Sequence, residues 1–199
     1  MQHDNQCNSR IPFRQALQTL VTVRQDSDVI VTNQGSSRVW PLIENHCLDF
    51  HFNPSTMGGA ISLALGIALA QPQRQVIVLS GDGSLLMNPG SLVSVIASRS
   101  QNLSVILLDN DLYDVTGGQK TAASDLDVRF DDIARSIGFS SVAAYRDAAS
   151  WESSAGRFLQ STGPRFCWLK VDVALPDDMK NQQEAMGQQL TRIRNKLTK

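Results

Sequence analysis

Three apolar runs constrain this chain more than any other feature: "DVIVTN" at 28–33, "QVIVLSGDG" at 75–83 and "VILLDND" at 105–111. None alternates apolar with polar residues, and each stops abruptly in polar or glycine-containing loop chemistry. A strand that is apolar on both sides has to be covered on both sides. Such strands, separated by helical stretches, predict a parallel sheet between two helical layers. The expected class is therefore α/β, a three-layer parallel sheet with helices on both faces, built from one domain spanning 1–199. In such sheets ligands bind beyond the carboxyl ends of the strands, so the three polar loops are expected to face one site.

The remaining segments fit this frame. "RIPFRQALQTLVTV" places Phe13, Leu17 and Leu20 at helical spacing, with Pro12 suited to a first turn. "LDFHFNPS" reads as a short strand, and residues 57–70 as a helix whose Gly, Ala and Ser side chains let it lie close to the sheet. After the loop at 81–83 comes a helix containing Leu92, Val93, Val95 and Ile96. The helix "FDDIARSIGF", the strand "SVAAY", the helix "DAASWESSAGRFLQ" and the strand "RFCWLKVDV" follow, and a polar helix closes the chain. The first ten residues, "MQHDNQCNSR", form a polar segment without the apolar core of a secretory signal.

Several function classes are disfavoured. A net charge of −1 offers no general attraction to nucleic acid or an anionic membrane. The basic end "TRIRNKLTK" reads as a solvated helix terminus. Cys7, Cys47 and Cys167 are odd in number, far apart and free of CxxC spacing, which argues against a disulfide framework or a cluster site. The apolar stretch "MGGAISLALGIALA" is too short to cross a bilayer. The expectation is a cytoplasmic protein without a membrane or nucleic-acid partner.

Asp82 lies between two glycines where a strand gives way to a helix, near unpaired backbone amides. Asn110 follows 28 residues later, at the end of the next apolar run. One crossover helix fits between them, so the two can be neighbours. A carboxylate, an amide oxygen and a backbone carbonyl are hard ligands suited to Mg²⁺ or Ca²⁺, and magnesium completes its octahedron with phosphate oxygens and water. The pair reads as a metal–diphosphate anchor. "GDG" alone is equally the mark of a tight turn. A Rossmann fingerprint and a Walker lysine are both missing.

The combination resembles a family. "GDGS" at 81–84, the spacing to "DND" at 109–111 and the following "LYDVTGGQ" are similar to the thiamine-diphosphate motif of the 2-oxoacid decarboxylase and acetolactate synthase superfamily, in which GDG precedes NN by 25 to 30 residues. "DNDLYDVTGGQKT" aligns without a gap to NNGxxDSxGGQPT, the loop of the branch containing the sulfopyruvate decarboxylase beta subunit and phosphonopyruvate decarboxylase. "TNQGSSRVW" echoes SNxGxPSRELY, and "STMGGAISLALGIALAQPQRQVIVLSGDG" resembles GSMGxAxxxALGxALAxPxxxVxxLxGDG. The likeness covers roughly 28–175.

The resemblance implies a thiamine-diphosphate-binding fold of the diphosphate (PP) type, with thiamine diphosphate and Mg²⁺ as cofactors. Asp82, the Asn110 amide and the Leu112 carbonyl would hold the metal. Gly35, Ser36, Gly83 and Ser84 would receive the diphosphate, and Tyr113 and Asp114 would begin the segment covering it. Met57 would support the bent cofactor, with the backbone of Ser55 and Met57 meeting its aminopyrimidine. Gln119 and Thr121 are the candidates for polar contact with the reacting groups. Lys120, where the pattern has proline, stands either toward an anionic substrate tail or in solvent. Asp109 replaces the first asparagine of NN and either adds a charge beside the metal site or faces away to bond backbone, since the second asparagine is the expected ligand. For His46 and His51 a structural role is the expectation.

The family also needs a glutamate from a pyrimidine-binding domain, for which this chain has no room. The resemblance therefore implies a hetero-oligomer in which an alpha-type subunit supplies that glutamate, and a small 2-oxoacid substrate. The expected activity is that of a carboxy-lyase subunit. A carboligase subunit like acetolactate synthase and a non-catalytic cofactor-binding module are the alternatives.

Overall fold

The computed structural model describes residues 10–126, 128–175 and 184–198. The polar segment 1–9, including Cys7, lies outside them. Six strands form one sheet: β1 (Val29–Asn33), β2 (Asp49–Phe52), β3 (Val76–Gly81), β4 (Leu103–Asp109), β7 (Ser141–Tyr145) and β8 (Arg165–Lys170). Their order is β2-β1-β3-β4-β8-β7, and every pairing is parallel. The two strands β5 (Leu112–Tyr113) and β6 (Gln119–Lys120) make a separate antiparallel hairpin just beyond β4.

The uninterrupted apolar strands give the sheet two buried faces because successive side chains point to opposite sides. Val29, Val31, Val76, Val78, Val105, Leu107, Phe166 and Trp168 enter one core. It is covered by α3 (Ala60–Ala70), α5 (Gly90–Ala97), α6 (Phe130–Ile137) and α8 (Met186–Leu197). Ile30, Ile77, Leu79, Ile106, Leu108, Cys167 and Leu169 enter the other, under α1 (Phe13–Val23), α7 (Ala148–Gln160) and the short α2 (Gln34–Val39). The three-layer architecture expected from the strand pattern is the one observed. Two buried tryptophans each satisfy their indole N–H. Trp40 donates to Asp49 Oδ2 at 2.9 Å, and Trp151 donates to the carbonyl of Ala16 at 3.1 Å.

Local departures have local causes. The stretch after β1 is helical at once, forming α2 rather than an open loop. Helix α3 begins at Ala60, not at 57, because Gly58 has φ +83°, which no right-handed helix accommodates. The helix after β3 starts at Asp82 itself as α4 (Asp82–Met87), and α5 is a separate helix. Pro89 lies between them and has no N–H to continue the ladder. Strand β8 ends at Lys170, and just beyond it Val171 makes an isolated bridge to Ile11.

His46 and His51 both hold structure together. His46 Nδ1 accepts from the Leu48 amide at 3.2 Å and sits 3.2 Å from Arg24, which is itself ion-paired with buried Asp49 at the amino end of the sheet. His51 Nδ1 lies 2.9 Å from Thr32 Oγ1, and the His51 amide donates to Gln189 of α8 at 2.7 Å. In the basic C-terminal stretch, Arg192 donates to the carbonyls of Cys47 and Asp49 at 2.6 and 3.0 Å, tying α8 to β2. No helix among the described residues is long and apolar enough to cross a membrane.

Candidate functional site

Strand β1 is flanked by β2 on one side and β3 on the other, so the chain reverses its direction of progress across the sheet between β1 and β3. That is a topological switch point, where a crevice opens beyond the carboxyl ends of the strands. It is lined by the tip of β1 and start of α2 (Asn33, Gln34, Gly35, Ser36), by Met57, by the tip of β3 and start of α4 (Gly81, Asp82, Gly83), and by Leu108, Asn110, Leu112, Tyr113, Asp114 and Val115; Phe13 closes one side. The space between these groups is about 440 Å³, part of it open to solvent.

Asp82 is the chemical centre of this crevice. It is 1% exposed. Its Oδ2 accepts a 3.0 Å hydrogen bond from Thr121 Oγ1, while its Oδ1 is buried without any partner. Burial, together with the negative charge of Asp109, pushes the carboxyl up to about 7, against the Thr121 hydrogen bond and the nearby Gly83 amide, which favour its ionised form. Across the crevice the Asn33 amide is 1% exposed, and its Oδ1 is likewise buried and unpartnered. Two orphaned oxygens on one small cavity are a demand for a cation or for donors.

Asn110, 8% exposed, presents an amide oxygen that accepts from the Leu112 amide at 3.0 Å and keeps a second lone pair. Among the described residues no cluster of three His, Cys, Asp or Glu could hold a metal. The donor set is instead one carboxylate, one amide and a nearby carbonyl, the sparse set that suits Mg²⁺ with phosphate and water as its other ligands. A magnesium diphosphate fits these residues.

The remaining sequence candidates divide into those on the crevice and those beside it. Gly35, Ser36, Met57, Gly83, Tyr113 and Asp114 line it alongside the three metal candidates. Tyr113 lies so close over Gly83 that a Cβ there would meet its ring at 2.6 Å. Burial pushes the Asp114 carboxyl upward, with Arg38 pulling against that shift. Ser55 is half-buried and outside the lining. Ser84 lies just behind it, 1% exposed, with Oγ accepting from Asn33 Nδ2 at 3.2 Å and from the Gly58 amide at 3.0 Å. Thr121 is buried against Asp82. Gln119 and Lys120 are exposed on the hairpin, and Lys120 pairs with Asp125 at 2.7 Å.

Asp109 turns away from the crevice. Its Oδ2 accepts from Trp168 Nε1 at 2.8 Å and from Lys170 at 3.0 Å, and its Oδ1 from the Asp111 amide at 3.1 Å. Neighbouring Asp111 is bound by Lys170 and Arg10. Although burial raises its carboxyl, those two cations hold it below the ordinary carboxylate range.

Two polar crevice residues escaped the sequence reading. Asn33 looked like the end of a strand, and its orphaned oxygen is a tertiary fact. Gln34 adopts φ 51°, a left-handed backbone that non-glycine residues rarely take. Such strain is concentrated at functional sites, but nothing in "TNQG" assigns it to the glutamine rather than to the glycine.

Known proteins resemble this chain over most of its length. Residues 32–168 match the family described as thiamine pyrophosphate enzyme, C-terminal TPP binding domain. The chain is 38% identical over 157 residues to the sulfopyruvate decarboxylase subunit beta of Methanothermobacter thermautotrophicus, covering 79% of this chain and 80% of that one. It is 35% identical over 153 residues to the phosphonopyruvate decarboxylase of Streptomyces viridochromogenes, covering 76% of this chain but only 37% of the relative. An X-ray structure from Mycobacterium smegmatis, described as thiamin diphosphate-dependent, superposes with a TM-score of 0.68 at 20% identity over 81% of this chain and 32% of its own, which speaks for the fold alone. The chain belongs to the thiamine pyrophosphate enzyme family and carries that family's C-terminal cofactor-binding domain.

Proposed function

We propose that this chain is the diphosphate- and magnesium-binding subunit of a thiamine-diphosphate-dependent 2-oxoacid decarboxylase, with residues 1–199 acting as one domain. The observation that carries the reading is the buried, unpartnered Oδ1 of Asp82 on a switch-point crevice shared with Asn110 and Leu112. Asp82, the Asn110 amide and the Leu112 carbonyl would hold Mg²⁺. The first turns of α2 and α4 line the same crevice, and the first amides of a helix have no acceptor within it. Gly35, Ser36 and Gly83 would offer these amides to the diphosphate. Both recorded bonds of the Ser84 hydroxyl are accepted, which leaves its proton for a phosphate oxygen.

Thiamine diphosphate, when bound, supplies the electron sink on which a 2-oxoacid loses CO₂. The protein residues orient and shield. Met57 would pack against the cofactor from the α3 side, its flexible thioether filling an irregular gap. The Ser55 and Met57 backbone would meet the aminopyrimidine, while Tyr113 and Asp114 would cover the diphosphate. Thr121 fixes one Asp82 oxygen. Gln119 and Lys120, exposed on the hairpin, would face substrate, and Lys120 would attract an anionic tail once released from Asp125.

A partner is required by what the crevice lacks. The chain has three glutamates, Glu44, Glu152 and Glu184, and none of them lines it. The acid that activates the pyrimidine would come from an alpha-type subunit, in a cytoplasmic hetero-oligomer. The named activities of the two relatives favour sulfonated or phosphonated pyruvate as substrate. Release of CO₂ from sulfopyruvate, phosphonopyruvate and pyruvate tests this, using the chain alone and with a pyrimidine-binding subunit. Turnover is expected only with both chains, Mg²⁺ and cofactor. Ordinary turnover by the chain alone, or a complex that takes up no cofactor, overturns it.

A further inference from the structure

The turn that presents Asn110 is built around a residue its own backbone disfavours. Asp111 has φ 66°, where L side chains crowd the following carbonyl. At this position the aligned loop pattern NNGxxDSxGGQPT has glycine. The aspartate here is held from both sides: its Oδ1 accepts from Lys170 Nζ at 2.6 Å, and its Oδ2 accepts from Arg10 Nη2. Arg10 also donates to the Val171 carbonyl at 3.1 Å, and Lys170 also binds Asp109 at 3.0 Å.

The backbone of the turn is fixed around the same residue. The Asp111 amide donates to Asp109 Oδ1 at 3.1 Å, and the Asp111 carbonyl accepts from the Thr121 amide at 2.8 Å. The next amide, Leu112, donates to Asn110 Oδ1. The side chains of Arg10, Asp111 and Lys170 are 25%, 20% and 14% exposed, so salt screens these pairs less than it screens open surface pairs.

We propose that Arg10 and Lys170 clamp Asp111, and that the clamp holds the 109–112 turn in the left-handed shape that presents the Asn110 amide and the Leu112 carbonyl to the metal. Arg10, Asp111 and Lys170 are thus positioning residues for a site none of them touches. The metal role of that site rests on the function proposed above. Were the pairs ordinary surface electrostatics, alanine at 111 would leave the turn as it is, since it keeps the backbone strain and loses only the charge. A clamp makes alanine release the turn, while glycine, free of the strain, keeps it.

The test is amide hydrogen exchange at Leu112 and Thr121 in the full chain without cofactor, paired with calorimetric titration of Mg²⁺ and thiamine diphosphate into the chain with its partner. Asp111→Ala is expected to speed exchange at both amides about tenfold and to weaken metal-assisted uptake by a similar factor. Asp111→Gly is expected to stay within about threefold of the natural chain. Arg10→Gln is expected to speed exchange several-fold in the natural background and to change nothing in Asp111→Gly. Equal behaviour of the alanine and glycine variants, or an Arg10→Gln effect of the same size in both backgrounds, overturns the clamp. If Asp111→Ala does not fold, the Arg10→Gln comparison decides alone. If the natural chain shows no metal-assisted uptake, the proposed function falls while the exchange series still judges the clamp.

Discussion

Thr121 Oγ1 donates a 3.0 Å hydrogen bond to one carboxylate oxygen of Asp82, and the other oxygen of that carboxylate is buried without a partner. The asymmetry sets the direction in which the free oxygen points. Thr121→Val, which keeps the shape and removes the donor, should weaken Mg²⁺-assisted cofactor uptake about tenfold, the scale of a hydrogen bond to a charged group. Thr121→Ser should restore most of it. Calorimetry on the chain with its partner checks both.

The elevated Asp82 carboxyl fixes a pH dependence. Its folded value of about 7 lies above the ordinary 3.8, so the metal-free folded state holds this proton more tightly than the unfolded chain. The resulting stability is complete below about pH 4 and is lost as pH rises toward 7, amounting to a few kcal/mol at most. Metal binding must displace the proton. Affinity for Mg²⁺ should therefore climb by up to about tenfold per pH unit below 7 and level off above it. Denaturation and metal titrations between pH 5 and 8 measure both slopes.

Asp82→Asn separates folding from function. At pH 8 the natural metal-free chain buries a carboxylate with one unpaired oxygen. The amide removes that charge, so the variant should be as stable as the natural chain or more so by about 1 kcal/mol. The same change should abolish metal-assisted cofactor uptake. Chemical denaturation should hold or improve while calorimetry loses the uptake, and a large loss of stability would contradict this account of the site.

Gly58 and Gly83 should fail differently when replaced by alanine. At Gly58 a side chain would occupy φ +83° and meet Asn88 Cβ at 2.7 Å, destabilising the fold by about 1–3 kcal/mol. At Gly83 the new Cβ would meet the Tyr113 ring at 2.6 Å. Tyr113 is on a short hairpin and can move, so Gly83→Ala should cost less stability and more cofactor affinity. Thermal melts with and without Mg²⁺ and thiamine diphosphate distinguish the two.

The strands and long helices were legible because their signals are local and repeated. An apolar run such as "VILLD" cannot rest anywhere but in a covered sheet, and "GDG" with Asn110 at its spacing marks neighbouring strand tips. The β5–β6 hairpin was invisible, since two-residue strands have no period to read. Helix α2 was hidden by "TNQGSS", which is loop chemistry by composition and is held helical by tertiary contacts. The same limit applies within the site. Asp82 and Asn110 could be picked from type and position, but the orphaned oxygen of Asn33 and the left-handed Gln34 arise only when β1, β3 and α4 converge. For Asp109 the sequence left open whether it adds a charge at the metal site or faces away, and only the fold reveals Trp168 and Lys170 as its partners.

The Ser84 hydroxyl accepts at once from the Asn33 side chain and the Gly58 amide, stitching together the ends of β1, of β3 and of the turn into α3. Those three segments make most of the wall that an incoming coenzyme would touch, and one oxygen atom forbids them to drift apart. The seat is therefore preorganised before anything occupies it. Little ordering entropy remains to be lost on that wall when a ligand arrives. The hairpin that follows meets this seat through Thr121, which donates to Asp82, and through Tyr113, whose ring lies over Gly83.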